Sequence, residues 1–195
     1  MLNLIKHFRG KYRRNLLFIM LMVGGLLFPS TSTPTLADSP SIQGTVLAGS
    51  LSDTILPSYS FSGSVGSTAT LHMPFSVSDL TGSGDGWNFT ITSTQFATSD
   101  NAHTLPTTAS TITGVAAVCT TARTCSQDTL TNGMTSPIAI PAGVTPPPAV
   151  KFFGTVVNTG MGVYTLTPVI SVAIPTSTIA GTYTTIFTLT ISSGP

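Results

Sequence analysis

The sequence contains no glutamate, one tryptophan and two cysteines among its 195 residues. Charged residues make up only 7% of the chain, so the Glu- and Lys-rich faces of amphipathic helices are missing. The two carboxylic acids that most glycosidases use would have to come from aspartates. No G-x-S-x-G motif is present, and no set of general acid and base is recognisable. The composition therefore predicts a protein that is not an enzyme and that binds no cofactor.

The basic residues are concentrated at the N-terminus. Five of the seven lie within the first fourteen residues, directly before an apolar run at residues 16–28. This run is shorter than the roughly 18 residues that a membrane-spanning helix needs. Together with the small residues at 35–37, it is typical of a secretory signal peptide. We expect residues 1–37 to be a signal helix that is removed, so that residues 38–195 are secreted and keep no membrane contact. An uncleaved N-terminal anchor is the alternative.

The charge that remains after residue 37 limits the choice of partners. Two cations, Arg123 and Lys151, stand against six aspartates, which gives a net charge of −4. Nucleic acids and anionic lipids both require several cations on one surface. The sequence therefore argues against a nucleic-acid partner and against electrostatic attachment to a membrane.

The two cysteines, Cys119 and Cys125, are separated by five residues. An exported protein reaches an oxidising compartment, and C-x5-C without a neighbouring histidine is not a usual zinc spacing. We therefore expect a disulfide that closes a short local loop, and no metal. Asp79 and Asp85 bracket a glycine-rich turn that calcium could use, but Asp and Gly are also the usual residues of tight turns.

Alternation of apolar and polar residues indicates β-strands. It is clear in residues 70–78, 87–92 and 183–192, and residues 164–174 form a further strand. Pro168 lies within that strand, which predicts an edge strand or a bulge. Weaker candidates are residues 44–51, 110–118 and 149–157. Seven to nine short strands separated by Gly- and Pro-rich turns predict an all-β fold, a single antiparallel β-sandwich that spans residues 38–195.

Two segments are similar to a known family. Residues 84–96 (GDGWNFTITSTQF) resemble the first motif of bacterial WxL-type cell-surface domains, and residues 174–195 (IPTSTIAGTYTTIFTLTISSGP) resemble their closing segment. The chain resembles a divergent member, because Phe89 replaces the leucine of the first motif and Phe187 the tryptophan of the second. The resemblance implies a secreted β-sandwich that associates non-covalently with the cell wall through peptidoglycan.

Four aromatic residues are the candidates for binding a glycan: Trp87, Phe89, Tyr183 and Phe187. Trp87 shares a strand face with Phe89 and Ile91, and an aromatic residue on such a face is more often part of the core. We therefore favour a core position for Trp87.

Two functions follow from these observations. The first is a secreted, non-enzymatic cell-surface protein that associates with a cell-wall glycan or with other surface proteins. The alternative is a structural subunit of a surface layer, fibre or coat that self-associates through strand edges, because Thr-rich strands with few charges are poorly protected against such pairing.

Overall fold

The computed structural model describes residues 42–121 and 124–195. Ten strands lie within the unit formed by Thr45–Pro195, and the described residues contain no helix. The strands are β1 (Leu51–Thr54), β2 (Thr68–His72), β3 (Phe75–Asp79), β4 (Trp87–Thr94), β5 (Ser110–Cys119), β6 (Ile138–Ala139), β7 (Ala142–Gly143), β8 (Val150–Gly154), β9 (Gly162–Ala173) and β10 (Phe187–Ser193). The predicted signal helix at residues 1–37 lies outside the described residues.

The larger sheet is built around β9. Its order is β1-β3-β9-β5-β6, and β2 also pairs with β9. On one side, β3 pairs with the first half of β9 and β2 with the second half, both antiparallel. On the other side, β5 pairs with β9 along nearly its whole length. β9 is therefore the central strand of this sheet.

The smaller sheet is built around β4. Its order is β10-β4-β7, and β8 also pairs with β4. The β10–β4 pairing is antiparallel and runs from Phe187 opposite Ser93 to Ser193 opposite Trp87. On the other side, β8 is antiparallel to β4, whereas the short β7 is parallel to it. β10 is thus an edge strand, with β4 on one side only among the described strands.

The core lies between the two sheets, which confirms the β-sandwich. Phe75 of β3 and Phe89 of β4 come from different sheets, and their ring centroids are 5.2 Å apart in an edge-to-face arrangement. Such a pair contributes about 0.5–1.5 kcal/mol beyond its burial. The fully buried residues are the apolar members of the alternating strands, namely Val77, Trp87, Phe89, Ile91, Ile112, Phe152, Phe153, Tyr164, Leu166, Ile170 and Val172.

Several predicted strand boundaries were wrong. Residues 70–78 form two strands rather than one, because the chain breaks at Met73 and Pro74 between β2 and β3. Residues 44–50 form no strand, and β1 begins only at Leu51. The strand predicted at residues 183–192 begins at Phe187, with an isolated bridge between Ala97 and Thr184 before it.

Of the two alternatives predicted for Pro168, the edge strand is wrong, whereas an irregularity is present beside it: the β5–β9 register shifts between Ile112 and Gly114, which lie opposite Ile170 and Val169. Pro168 lies in the central strand β9, opposite Val115 of β5. On the side of β9 that faces β2 and β3, Pro168 falls between the stretches paired with those two strands. Its carbonyl still accepts a hydrogen bond from Met73 N at 3.1 Å. The missing N–H of proline is tolerated in the centre of the sheet because it coincides with this break between two partner strands.

Candidate binding groove

Trp87 and Phe89 are core residues in the structure, as expected for Trp87. Both are completely buried, and the Trp87 indole stacks on Phe153 with centroids 5.3 Å apart. The indole nitrogen donates to the Gly160 carbonyl at 3.0 Å, and the backbone N–H of Trp87 donates to the Thr155 hydroxyl at 2.8 Å. Neither ring reaches solvent, so neither presents a face on which a sugar can stack in this structure.

Tyr183 and Phe187 occupy a different place from the other two candidates. Both are partly exposed. The Tyr183 hydroxyl donates to the Ile179 carbonyl at 2.8 Å, and the Phe187 ring meets Phe96 edge to face, with centroids 6.2 Å apart. Phe187 and Trp87 lie at opposite ends of the β10–β4 pairing, about 20 Å apart along the strands. The four predicted residues therefore do not form one site.

Tyr183 and Phe187 line a groove of about 960 Å³. We define the groove by residues 55–65, residues 178–187 and the side chains of Leu71, Met73, Phe96, Leu105, Ile174 and Leu189. It lies between the sheets at the end where β10 begins, since Leu71 and Met73 adjoin the larger sheet and Leu189 belongs to the smaller one. Its volume is at the upper end of the roughly 300–1,000 Å³ typical of ligand pockets.

Residues 55–65 form one wall of the groove and are not part of any strand. Tyr59 and Phe61 attach this segment to the fold. The Tyr59 hydroxyl donates to the Pro74 carbonyl at 2.7 Å, and the Phe61 ring meets Phe96 edge to face at 5.8 Å. The strand patterns of the sequence did not predict a functional role for these residues, although the alternation in SYSFS at residues 58–62 is a period-two signal.

The lining of the groove carries no charged side chain. It combines apolar groups with the hydroxyls and backbone of a Ser- and Thr-rich segment, such as Ser58, Ser60 and Thr182. An uncharged, extended ligand suits this surface, because a charged one would lose hydration without gaining an ionic partner.

The core-facing side of β10 is incompletely covered. Phe187, Leu189 and Ile191 point towards the core but each stays partly exposed, whereas Phe89 and Ile91 of the neighbouring β4 are fully buried. β10 therefore combines an edge that pairs with no further described strand, although β1 lies close to it, with apolar side chains that stay partly exposed beside the groove.

The disulfide between Cys119 and Cys125 is present, as predicted. Cys119 ends β5, and the Cys125 sulfur contacts the Val163 carbonyl at the start of β9. The bond therefore holds the loop after β5 beside β9, at the end of the larger sheet where Asp79 pairs with Gly162. The groove is at the opposite end of that sheet.

The ionisable groups of the described region do not form a metal-binding cluster. No group of three or more His, Cys, Asp or Glu residues among the described residues could hold a metal ion. Asp79 is buried, and its carboxylate accepts hydrogen bonds from the Thr81 N–H and hydroxyl at 3.1 and 2.7 Å. Asp79 thus caps the turn that follows β3.

The loop after β4 holds an exposed carboxylate, that of Asp100. The Thr98 hydroxyl and then the Ala102 backbone N–H donate to Asp100, and these hydrogen bonds lower the pKa of Asp100. The carboxylate accordingly stays ionised at neutral pH and orders the turn.

Comparisons with protein-family models, with curated proteins and with solved structures find no match for this chain. Residues 42–121 and 124–195 contain no helix that is long and apolar enough to cross a membrane.

Proposed function

We propose that this chain is an exported, non-enzymatic structural subunit that assembles at the cell surface through the edge of β10 and the adjoining groove. The observation that carries the proposal is β10 itself. It is an edge strand whose inward side chains, Phe187, Leu189 and Ile191, are only partly covered. An added strand would pair with the free backbone groups and cover these side chains.

The surface beside β10 has little that would prevent such pairing. Natural edge strands are commonly protected by lysines, prolines or inward-pointing charges. β10 contains none of these, since its sequence is FTLTISS. The Thr188 and Thr190 side chains on its outer face are exposed and uncharged. An uncharged β-strand from another molecule therefore meets no electrostatic barrier here.

Two further features fit an extracellular location. The Cys119–Cys125 disulfide is of a kind that persists in oxidising compartments. The signal-like sequence at residues 1–37 would direct the chain there. The WxL-like motifs at residues 84–96 and 174–195 suggest the surface of a Gram-positive cell.

Association with a cell-wall glycan is the second candidate function. The observation in its favour is that Tyr183 and Phe187 are partly exposed in a groove that also presents hydroxyl groups. Aromatic rings and hydroxyls together suit a neutral sugar chain. The same groove would then hold a glycan rather than a polypeptide.

One experiment separates the two functions. The full chain is produced in an exporting host, and its molar mass is measured by light scattering over a range of concentrations, with and without isolated cell walls. The proposed function predicts polymers that grow with protein concentration in the absence of walls. A protein that stays monomeric and is retained on the walls would overturn assembly in favour of glycan association.

A further inference from the structure

The chain carries a second uncharged apolar feature, at residues 45–48, which we call the donor segment. It belongs to no strand, and its two large side chains are almost fully exposed: Val46 at 97% and Leu47 at 84%. Scattered surface hydrophobic residues are normal, but two neighbouring ones in an unpaired segment provide an apolar surface on which a partner can bind.

The groove has a matching apolar rim. Leu56, Val65, Ile179 and Ile186 line it and are exposed by 46–67%. Within the described residues, six of the twelve exposed large hydrophobic side chains belong to the donor segment or to this rim. Neither surface contains a charge, so each is suited to the other in polarity.

The donor segment and the groove are associated with opposite ends of the larger sheet. Gly49 N donates to the Leu80 carbonyl, and Leu51 pairs with Asp79, so the chain enters β1 at the end of β3 where Asp79 lies. The groove adjoins the other end, where Leu71 and Met73 are found. The two ends of β9 are about 36 Å apart, as expected for a strand of its length.

We propose that the donor segment of one copy enters the groove of the next copy and pairs with β10 as an added strand. This inference rests on the proposed function and names the partner as a second copy of this chain. Alternate side chains of an extended segment would enter the groove, while its backbone would pair with the free edge of β10. Because donor and groove differ, the contact is heterologous and repeats head to tail, which generates an open filament unless the rotation closes a ring.

Two double variants test the donor and the groove separately. Val46→Asp with Leu47→Asp places charges on the donor, and Ile179→Asp with Ile186→Asp places them on the groove rim. All four positions are exposed, so the fold does not depend on them. Val144→Asp is the matched control, because Val144 is 91% exposed and lies outside both surfaces. Emission from the sole tryptophan reports whether each variant is folded.

We expect each double variant alone to be monomeric and the Val144 control to polymerise like the wild type. A mixture of the two double variants should form one-to-one dimers and nothing larger. In such a dimer, the groove variant supplies its intact donor segment, which binds in the intact groove of the donor variant. The charged donor of the second molecule and the charged groove of the first cannot bind a further copy. This complementation distinguishes the loss of a specific contact from a general loss of non-specific self-association.

The outcomes separate this inference from the proposed function. If the wild type polymerises and both double variants polymerise equally well, donor insertion is refuted while assembly through another surface stands. Double variants that are monomeric but form no dimers when mixed also overturn donor insertion. If the wild type is monomeric at every concentration, the proposed function itself fails.

Discussion

Replacing Thr155 by valine should destabilise the fold by removing one buried hydrogen-bond acceptor. Thr155 is 2% exposed, and its hydroxyl accepts from Trp87 N at 2.8 Å and lies 3.2 Å from the Trp87 carbonyl. The Trp87 carbonyl would keep its bond from Thr155 N at 2.9 Å, but the Trp87 N–H would lose its partner inside the core. Thr155→Val nearly preserves the volume of the side chain, so the lost stability comes mainly from the missing hydrogen bond.

The size of the effect follows from the unpaired N–H. A buried donor left without a partner costs about 1–3 kcal/mol. For a chain of this length each kcal/mol corresponds to about 2–4 °C in Tm. We therefore expect the Tm of Thr155→Val to fall by several degrees. Thr190→Val is the control, since Thr190 is exposed on the outer face of β10, and a surface change of this kind stays within about 0.5 kcal/mol.

The assay is urea unfolding followed by tryptophan emission, because Trp87 is the only tryptophan and is itself hydrogen-bonded to Thr155. The free energy of unfolding should fall for Thr155→Val with little change in the denaturant slope. Equal stability of Thr155→Val and the wild type would refute the reasoning. Such a result would mean that the Trp87 N–H forms a hydrogen bond with another protein group or that water reaches this end of β4.

Three further changes test other parts of the structure. Gly160→Ala should abolish stable folding or lower Tm strongly, because Gly160 has a φ of +83° and an added methyl group would lie 2.6 Å from the tryptophan nitrogen; circular dichroism would show it. Replacing Cys119 and Cys125 by serine should lower the free energy of unfolding by about 2 kcal/mol, as loop entropy gives for so short a loop, and unchanged urea unfolding would contradict this. Thr98→Val should raise the pKa of Asp100 towards its ordinary value of 3.8, since the largest hydrogen bond to the carboxylate is lost; an NMR titration that shows no rise would refute that role of Thr98.

The sandwich could be predicted because its central strands bury one face. In β3 and β4, buried and less buried residues alternate, and this burial reproduces the period of two seen in the sequence. The interior position of Trp87 followed from the same rule. The disulfide was predictable from the short spacing of Cys119 and Cys125 and from the expectation, drawn from the signal-like sequence at residues 1–37, that the chain is exported.

The groove could not be predicted in the same way. Residues 55–65 cross the end of the sandwich without joining a sheet, and their contacts join residues far apart in the chain, such as Tyr59 with Pro74 and Phe61 with Phe96. The alternation in residues 183–192 correctly indicated extended chain. It did not reveal that pairing with β4 begins only at Phe187, because that limit depends on Thr94 and its neighbours in another strand.

The central position of β9 has a consequence for the time at which the chain folds. Its partners β2, β3 and β5 all precede it, so β3 can pair with β1 early, but its pairing with β9 requires Gly162 and the residues that follow. Three ladders of the larger sheet thus form only after most of the polypeptide has been synthesised, and such distant pairings are slow to close. A chain organised in this way completes its larger sheet only late in synthesis, an order of events that would suit the export through a translocation pore that we propose.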